Sequence, residues 1–312
     1  MSLIDDMRND NGIKVKDCGN GVESFNFTSK TFKKANWNER SVRARGLFIK
    51  GNSVDARSYD KFFAIGERPE TEWKSLKENL EFPVQLSFKY NGYLGILSAH
   101  FENDEYVLDF HSKSCTEGWY VEEFKRIFYK VVGEWSAGSF AEMLCKNNLS
   151  AVFEVISTND PHIVEYHCDD VILLDLIENS LEFKPKNYSA LQHVAKIYNM
   201  HIKVVYNIYS YDDLTLFICN NEYSKIEGYV GRDKNNFMFK VKLLWYRYWK
   251  MIRGIVEQLG SGKEVECISN YYYRIGNDEL AYWLPNFVHK YKAKNGKTPS
   301  VITVRNEWEK ER

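Results

Sequence analysis

No stretch of this sequence stays apolar for the roughly 18 residues that a membrane-spanning helix needs, so a membrane-embedded reading fails first. The amino terminus, Met1-Ser2-Leu3-Ile4-Asp5-Asp6, is acidic and has no apolar core, which argues against a secretory signal. CxxC pairs are also missing. Cys18, Cys115, Cys145, Cys168, Cys219 and Cys267 are dispersed, a spacing that suggests neither a structural zinc site nor a disulfide framework. There is no excess of charge either. The formal net charge is -1, so no basic field covers the molecule, and a nucleic-acid partner would need its cations gathered in one groove. Internal repeats and low-complexity tracts are absent. The expectation is an intracellular, cytoplasmic protein with reduced thiols and no membrane partner.

What is present is ordinary in bulk. The 312 residues are 44% hydrophobic and 27% charged, enough for one large domain with an appendage or for two domains. Aromatic residues reach 15%, with 21 Tyr and 8 Trp. That abundance fits base stacking and fits an aromatic core equally well.

Strand patterns dominate the middle of the chain. Up to about residue 80 the texture is mixed, with a strand candidate at Arg45–Ile49 and the segment Tyr59–Phe63. Alternation then predicts strands over Val84–Lys89, Tyr93–His100 and Tyr106–His111. Helical spacing follows over roughly 120–147, where Val121, Phe124, Ile127, Phe128 and Val131 form one stripe. Strands return at Ala151–Ser157 and Val171–Ile177, then a helix at Tyr188–Asn199, then strands at Ile226–Val230 and Phe237–Val241. From Leu243 the pattern is helical: Leu243–Leu259, and Asp278–Lys292 interrupted by Pro285. The fold class is α+β followed by α, with a boundary between 1–242 and 243–312.

Within this order, short strands deliver charged residues at five points. Lys89 opens Lys89-Tyr90-Asn91-Gly92 at the end of a strand, where rigid backbone can aim its amine into a cleft. A lysine amine that is desolvated and flanked by cations deprotonates more easily and can act as a nucleophile. Lys113 follows another strand. Glu154 is embedded in Val152-Phe153-Glu154-Val155-Ile156. Glu227 precedes Gly228, a glycine that would let a ligand approach the backbone. Lys240 and Lys242 alternate on one strand and share a face. Singly, each has an ordinary structural reading: a hairpin lysine, a salt-bridged edge glutamate, a solvated strand face. Together, two carboxylates can place a magnesium ion and a ribose hydroxyl, and several cations can surround a triphosphate.

This ordered set resembles the covalent nucleotidyltransferase superfamily of RNA ligases, DNA ligases and capping enzymes. Lys89–Gly92 is similar to its motif I, Phe153-Glu154-Val155 to motif III, Val171–Asp175 to motif IIIa, Glu227-Gly228-Tyr229-Val230 to motif IV and Lys240-Val241-Lys242 to motif V. Within it, the chain looks most like the phage RNA ligase 1 group and the ligase domain of fungal tRNA ligases. The closer features are Ala44-Arg45-Gly46-Leu47-Phe48, Tyr59-Asp60-Lys61-Phe62-Phe63 with Glu67, and Phe153–Asn159. The resemblance covers roughly residues 37–245. Two departures stand out: Asn91 where many relatives carry an acid, and Tyr93 where phage ligases commonly carry Ser. The helical tail is similar to none we can name.

The resemblance implies a ligase fold with antiparallel sheets flanking an ATP cleft, an adenylyltransferase domain over 1–242 including an N-terminal module, and a small helical domain over 243–312. It implies an ATP-dependent RNA ligase in which Lys89 becomes lysyl-AMP, Lys240 and Lys242 stabilise the α-phosphate, and Arg45 and Lys113 contact phosphates. Glu154 would bind the ribose, and Glu227 would hold Mg2+ (or Mn2+). The partner would be RNA with 5′-phosphate and 3′-hydroxyl ends, such as tRNA, and the protein a monomer. The alternatives are a DNA ligase or capping-type enzyme, which normally follow motif V with a β-rich domain, and a non-catalytic RNA-binding protein on the same fold.

Other signals are weaker. Gly260-Ser261-Gly262-Lys263 fails as a P-loop because Glu257 stands where a glycine is required and Glu264 replaces Ser/Thr. His167-Cys168-Asp169-Asp170 lacks a second ligand pair and reads as a turn. Lys290–Lys297 suits an RNA-gripping segment and a solvated helix end alike. The Trp245, Trp249, Ile252, Val256 stripe reads as tail core.

Overall fold

The alternating patterns settle into three sheets distributed over two units of packing. The computed structural model describes residues 2–160 and 162–310. One unit comprises Met1–Phe63, Gly92–Ser157 and Cys168–Val204; the other comprises Ala64–Asn91, Thr158–His167 and Val205–Arg312. The division passes through the lysine tetrad, between Asn91 and Gly92.

The first unit holds two of the sheets. Ile13–Asp17, Val22–Phe27, Leu47–Lys50 and Ser53–Arg57 form a consecutive antiparallel meander. Its first hairpin turns at Gly19-Asn20-Gly21, all three at positive φ, a conformation that glycine and asparagine tolerate best. The second sheet runs His201–Ile202, Asp170–Glu178, Leu149–Ile156, Tyr93–Glu102, Glu105–His111 and is antiparallel except for its two-residue edge strand.

The apolar stripe expected over 120–147 belongs to two helices, Trp119–Val132 and Glu134–Lys146. Gly133, at φ +82°, breaks them apart. Val121, Phe124, Ile127 and Phe128 are buried against the sheet with Phe110, Phe140 and Phe153. Each such ring contributes about 1.5–3 kcal/mol by leaving water, which fixes the strand that carries Glu154. The 15% aromatic content is here mostly a matter of core.

The second unit is built on a sheet in the order Val205–Ile208, Val84–Lys89, Gly228–Arg232, Met238–Lys242, Phe63–Ala64, the last straddling the boundary. Helix Leu244–Gly260 follows directly, and helices Asp278–Asn295 and Val301–Lys310 pack on it through Trp249, Ile252, Val256, Leu284 and Val304. The helical tail thus shares a packing unit with the lysine strands. Pro285 does not interrupt its helix. A proline leaves the carbonyl four residues earlier without a donor, and here that carbonyl, Ala281, accepts the hydroxyl of Tyr271 at 2.9 Å. Among the described residues no helix is long and apolar enough to cross a membrane.

Candidate active site

In the second unit, strand register aligns the charges. Lys89 pairs with Gly228, and Gly228 with Lys242. Directly opposed residues of antiparallel strands share a face, as do residues i and i+2, so Lys89, Lys240 and Lys242 stand on one face. Phe239 and Val241 turn the other way into the core with Leu86 and Tyr229. Gly228 sits at φ +148°. A Cβ there would meet the Val241 carbonyl oxygen at 1.9 Å. The glycine therefore admits the neighbouring strand, not a ligand, which corrects the expectation drawn from Glu227-Gly228.

Glu227, only 3% exposed, is the hub of this face. Its Oε1 lies 3.0 Å from Lys89 Nζ and 3.1 Å from Lys242 Nζ, and its Oε2 accepts Asn91 Nδ2 at 2.8 Å. Burial pushes the Glu227 carboxyl up, but Lys89 and Lys242 together outweigh it and hold the group below its ordinary value. A buried charge is tolerable when paired and hydrogen-bonded in this way. Lys242 also rests over the Tyr246 ring at 5.1 Å.

Asn91 extends the network away from the lysines. Its Oδ1 accepts the backbone N–H groups of Ile163 and Val164, each at 3.0 Å, and its own N–H donates to Tyr166 Oη at 3.0 Å. Arg305 of the last helix, 5% exposed, donates to the Ile163 carbonyl at 2.7 Å and lies over Trp245 at 5.1 Å. A polar path thus runs Arg305–Ile163–Asn91–Glu227–Lys89. An amide at 91 can donate to a carboxylate while accepting from backbone; an acid there would oppose Glu227 with like charge.

In the first unit, Glu154 Oε1 accepts the Gly92 N–H at 2.8 Å. A Cβ at Gly92 would approach the Val155 carbonyl oxygen to 2.1 Å, so this glycine too is required by a close approach. Arg45, Lys61 and Lys113 gather among aromatic rings: Arg45 lies 5.8 Å from Phe62, Lys61 3.7 Å from Phe63 and 5.1 Å from Trp37, and Lys113 4.7 Å from Phe27. Burial lowers the Arg45 guanidinium against the pull of Glu154, Tyr59 and Asp60. Partial desolvation, then Arg45 and Lys61, lower the Lys113 ammonium. The Arg45 Nη1 is buried with no hydrogen-bond partner among the described residues. Such a group costs free energy until an anion meets it.

A family model described as RNA ligase matches residues 43–246, spanning the lysine strands, Glu154 and Glu227. The chain belongs to the RNA ligase family. It is 24% identical to the tRNA ligase of Candida albicans over 314 residues, covering 82% of this chain and 37% of that protein. It is 26% identical to tRNA ligase 1 of Schizosaccharomyces pombe over 256 residues, covering 72% of this chain and 32% of that protein. The chain therefore spans about a third of the length of the curated relatives it matches. Among solved structures, a putative ATP-dependent DNA ligase from Aquifex aeolicus superposes with TM-score 0.57 at 14% identity, covering 95% of this chain and 81% of the other. An archaeal ATP-dependent RNA ligase superposes with TM-score 0.54 at 13% identity, covering 88% and 68%. These likenesses show the ATP-dependent ligase fold that the motif order implied.

This RNA ligase-family chain also carries site neighbours that motif reading passed over. Lys61 was legible only as part of Tyr59–Phe63, and nothing local ties Ile163 or Arg305 to the strand of Lys89. The set-aside signals resolve structurally. Gly260-Ser261-Gly262-Lys263 closes a helix, with Gly262 N–H on the Leu259 carbonyl. Asp169 pairs with Arg126 at 2.8 Å and Asp170 with His201 at 2.7 Å. Lys292 donates to the Gly260 carbonyl at 2.7 Å.

Proposed function

We propose that the chain is an ATP-dependent RNA ligase, acting on 5′-phosphate and 3′-hydroxyl RNA ends of the kind found in broken or processed tRNA. The observation that carries this reading is Lys89 held 3.0 Å from buried Glu227 with Lys242 on the same oxygen. Lys89, its ammonium proton given up to solvent, attacks the α-phosphorus of ATP; a P–N bond forms, the Pα–O–Pβ bond breaks, pyrophosphate leaves and the nitrogen loses a second proton to solvent. A 5′-phosphate oxygen of RNA then attacks the same phosphorus, the P–N bond breaks and the lysine leaves as an amine, its nitrogen taking a proton from solvent. Finally a 3′-hydroxyl attacks the 5′-phosphorus, losing its proton as AMP departs.

Lys240 and Lys242 offset the charge at the α-phosphorus. Arg45 and Lys113 take phosphate oxygens; the orphaned Nη1 of Arg45 suits that anion. Glu154 takes a ribose hydroxyl. Among the described residues no group of three or more His, Cys, Asp or Glu is placed to hold a metal ion. Magnesium is usually held by one or two carboxylates, water and substrate phosphates. Glu227, directly or through water, is the carboxylate that would hold it, and the ion would neutralise triphosphate charge. We assign adenylyl transfer to residues 1–242 and RNA selection to 243–312, in a monomer.

The test is incubation with α-labelled ATP and magnesium, followed by 5′-phosphorylated RNA or DNA strands. Covalent AMP on the wild type, reduced at least about 10³-fold in Lys89→Ala, and sealing of RNA are expected. Undiminished labelling of Lys89→Ala, or sealing of nicked duplex DNA alone, would sink the reading.

A further inference from the structure

A cavity of about 810 Å3 opens along the strand Met238–Lys242, entirely within the second unit. Its walls come from Ala64–Glu67, Trp73, the end of helix Tyr211–Asn220 and the first tail helices. Lys242 belongs both to this wall and to the Glu227 cluster, whereas Lys89 does not reach it. The cavity begins where the nucleophile's own network ends.

Its charge is one-sided. Lys240, Lys242, Arg247, Lys250 and Arg274 share the lining with Glu67 and Glu222, and Lys242 also pairs with Glu227, in a chain whose formal net charge is -1. The side chains of Arg247, Lys250 and Arg274 make no hydrogen bond or ion pair among the described residues. Partial desolvation and then Lys242 lower the Lys250 ammonium, as crowded like charges should. Arg247 and Lys250 are three apart on one helix and so share a face. Trp73 is 40% exposed and offers a flat ring at the rim. A concentrated groove of this kind is what a near-neutral chain needs to hold nucleic acid.

We propose that this cavity holds the phosphate backbone of the RNA end to be adenylylated, with Arg247, Lys250 and Arg274 on successive phosphates and Trp73 stacking a base. The proposal rests on the RNA ligase reading. It makes the tail a working wall of the RNA site. Guanidinium groups suit phosphate through paired N–H donors, and an aromatic face takes any base. Lys240 and Lys242 join this wall to the α-phosphorus, but Lys89, against which that phosphorus must lie, is not on it, so ATP would have only part of its site here.

The test uses the full chain and a 5′-phosphorylated single-stranded RNA, with affinity measured by fluorescence anisotropy across a salt series. Each phosphate contact contributes about 0.7 to the slope of log K against log salt. The variant Arg247→Ala/Lys250→Ala/Arg274→Ala should lower that slope by about 2 and weaken binding at least about tenfold at low salt. Its RNA-free formation of lysyl-AMP should stay within about twofold of wild type. Trp73→Ala should weaken binding about fivefold or more with the slope unchanged. If the triple variant fails to fold, Lys250→Met alone should lower the slope by about 0.7, while Arg247→Lys/Arg274→Lys should keep it. An unchanged slope overturns the proposal. So does lysyl-AMP formation falling while RNA binding holds, which would give the cavity to ATP. A wild type that forms no lysyl-AMP overturns the ligase reading instead.

Discussion

Two groups of three lysine or arginine side chains do opposite things with their charge. For Lys89 and Lys242 a buried carboxylate supplies the counter-charge from within the protein, both set on the same oxygen of Glu227, with Lys240 on the same strand face. Around Arg45, Lys61 and Lys113 stand the rings of Phe62, Phe63, Trp37 and Phe27, and Lys61 also donates to the Phe62 carbonyl at 3.0 Å. There burial depresses both Arg45 and Lys113. The first group is finished before any substrate arrives. In the second, the buried Nη1 of Arg45 still lacks a partner among the described residues. On the proposed reading, a lysine that attacks benefits from being held in place, and cations that release a product benefit from owing their stability to the ligand.

The most severe way to break this contrast is Glu227→Gln. It removes the charge that sets two lysines while keeping the shape, and adenylylation should fall at least about 10²-fold. The same variant should change the acid limb of stability. The Glu227 carboxyl is depressed below its ordinary 4.5, so its contribution is complete above that value and drains away as pH falls through the lower folded value. Wild type should lose stability in that window faster than Glu227→Gln, as read by thermal melts from pH 6 to pH 3. Lys242→Met should follow, destabilising the free protein by about 1–3 kcal/mol in urea, because Glu227 loses a partner while remaining buried.

Arg305→Met should cost about 1–3 kcal/mol through the unmet Ile163 carbonyl, and should slow adenylylation less than Glu227→Gln does. Lys113→Met carries the opposite sign. It relieves crowding against Arg45 and Lys61 on a partly solvated group, so the free protein should melt no lower and at most about 2 °C higher. The stabilisation that ATP adds should shrink. A lower melting temperature for Lys113→Met would erase the distinction between the two groups. Smallest of all, Tyr271→Phe should cost about 1 kcal/mol by leaving the Ala281 carbonyl without its donor, with no change in lysyl-AMP formation.

The sequence disclosed the first group better than the second. Lys89, Lys240 and Lys242 lie on strands whose period of two states which residues share a face, Glu227 stands just before another, and their order along the chain carried the family. Asn91 read as a departure because its meaning depends on Ile163 and Val164, some seventy residues away, and on no local pattern. The first sheet was invisible apart from Leu47–Lys50 because Ile13–Asp17 and Val22–Phe27 are short and half polar. Gly19-Asn20-Gly21 between them was the available hairpin signal. Gly133 was likewise readable as a break between two helices. Pro285 was overread, since the donor that repairs its gap comes from Tyr271 on a separate short helix.

The Arg305–Ile163–Asn91 path also carries a consequence for synthesis. Lys89 and Asn91 leave the ribosome some two hundred residues before Arg305 is made, a lag of roughly 10–40 s at about 5–20 residues per second. Until then the segment that steadies Asn91 has no anchor in the last helix, and Glu227 lacks a fixed amide. A nascent chain can therefore expose Lys89 to solvent long before Glu227 and Asn91 hold it in place.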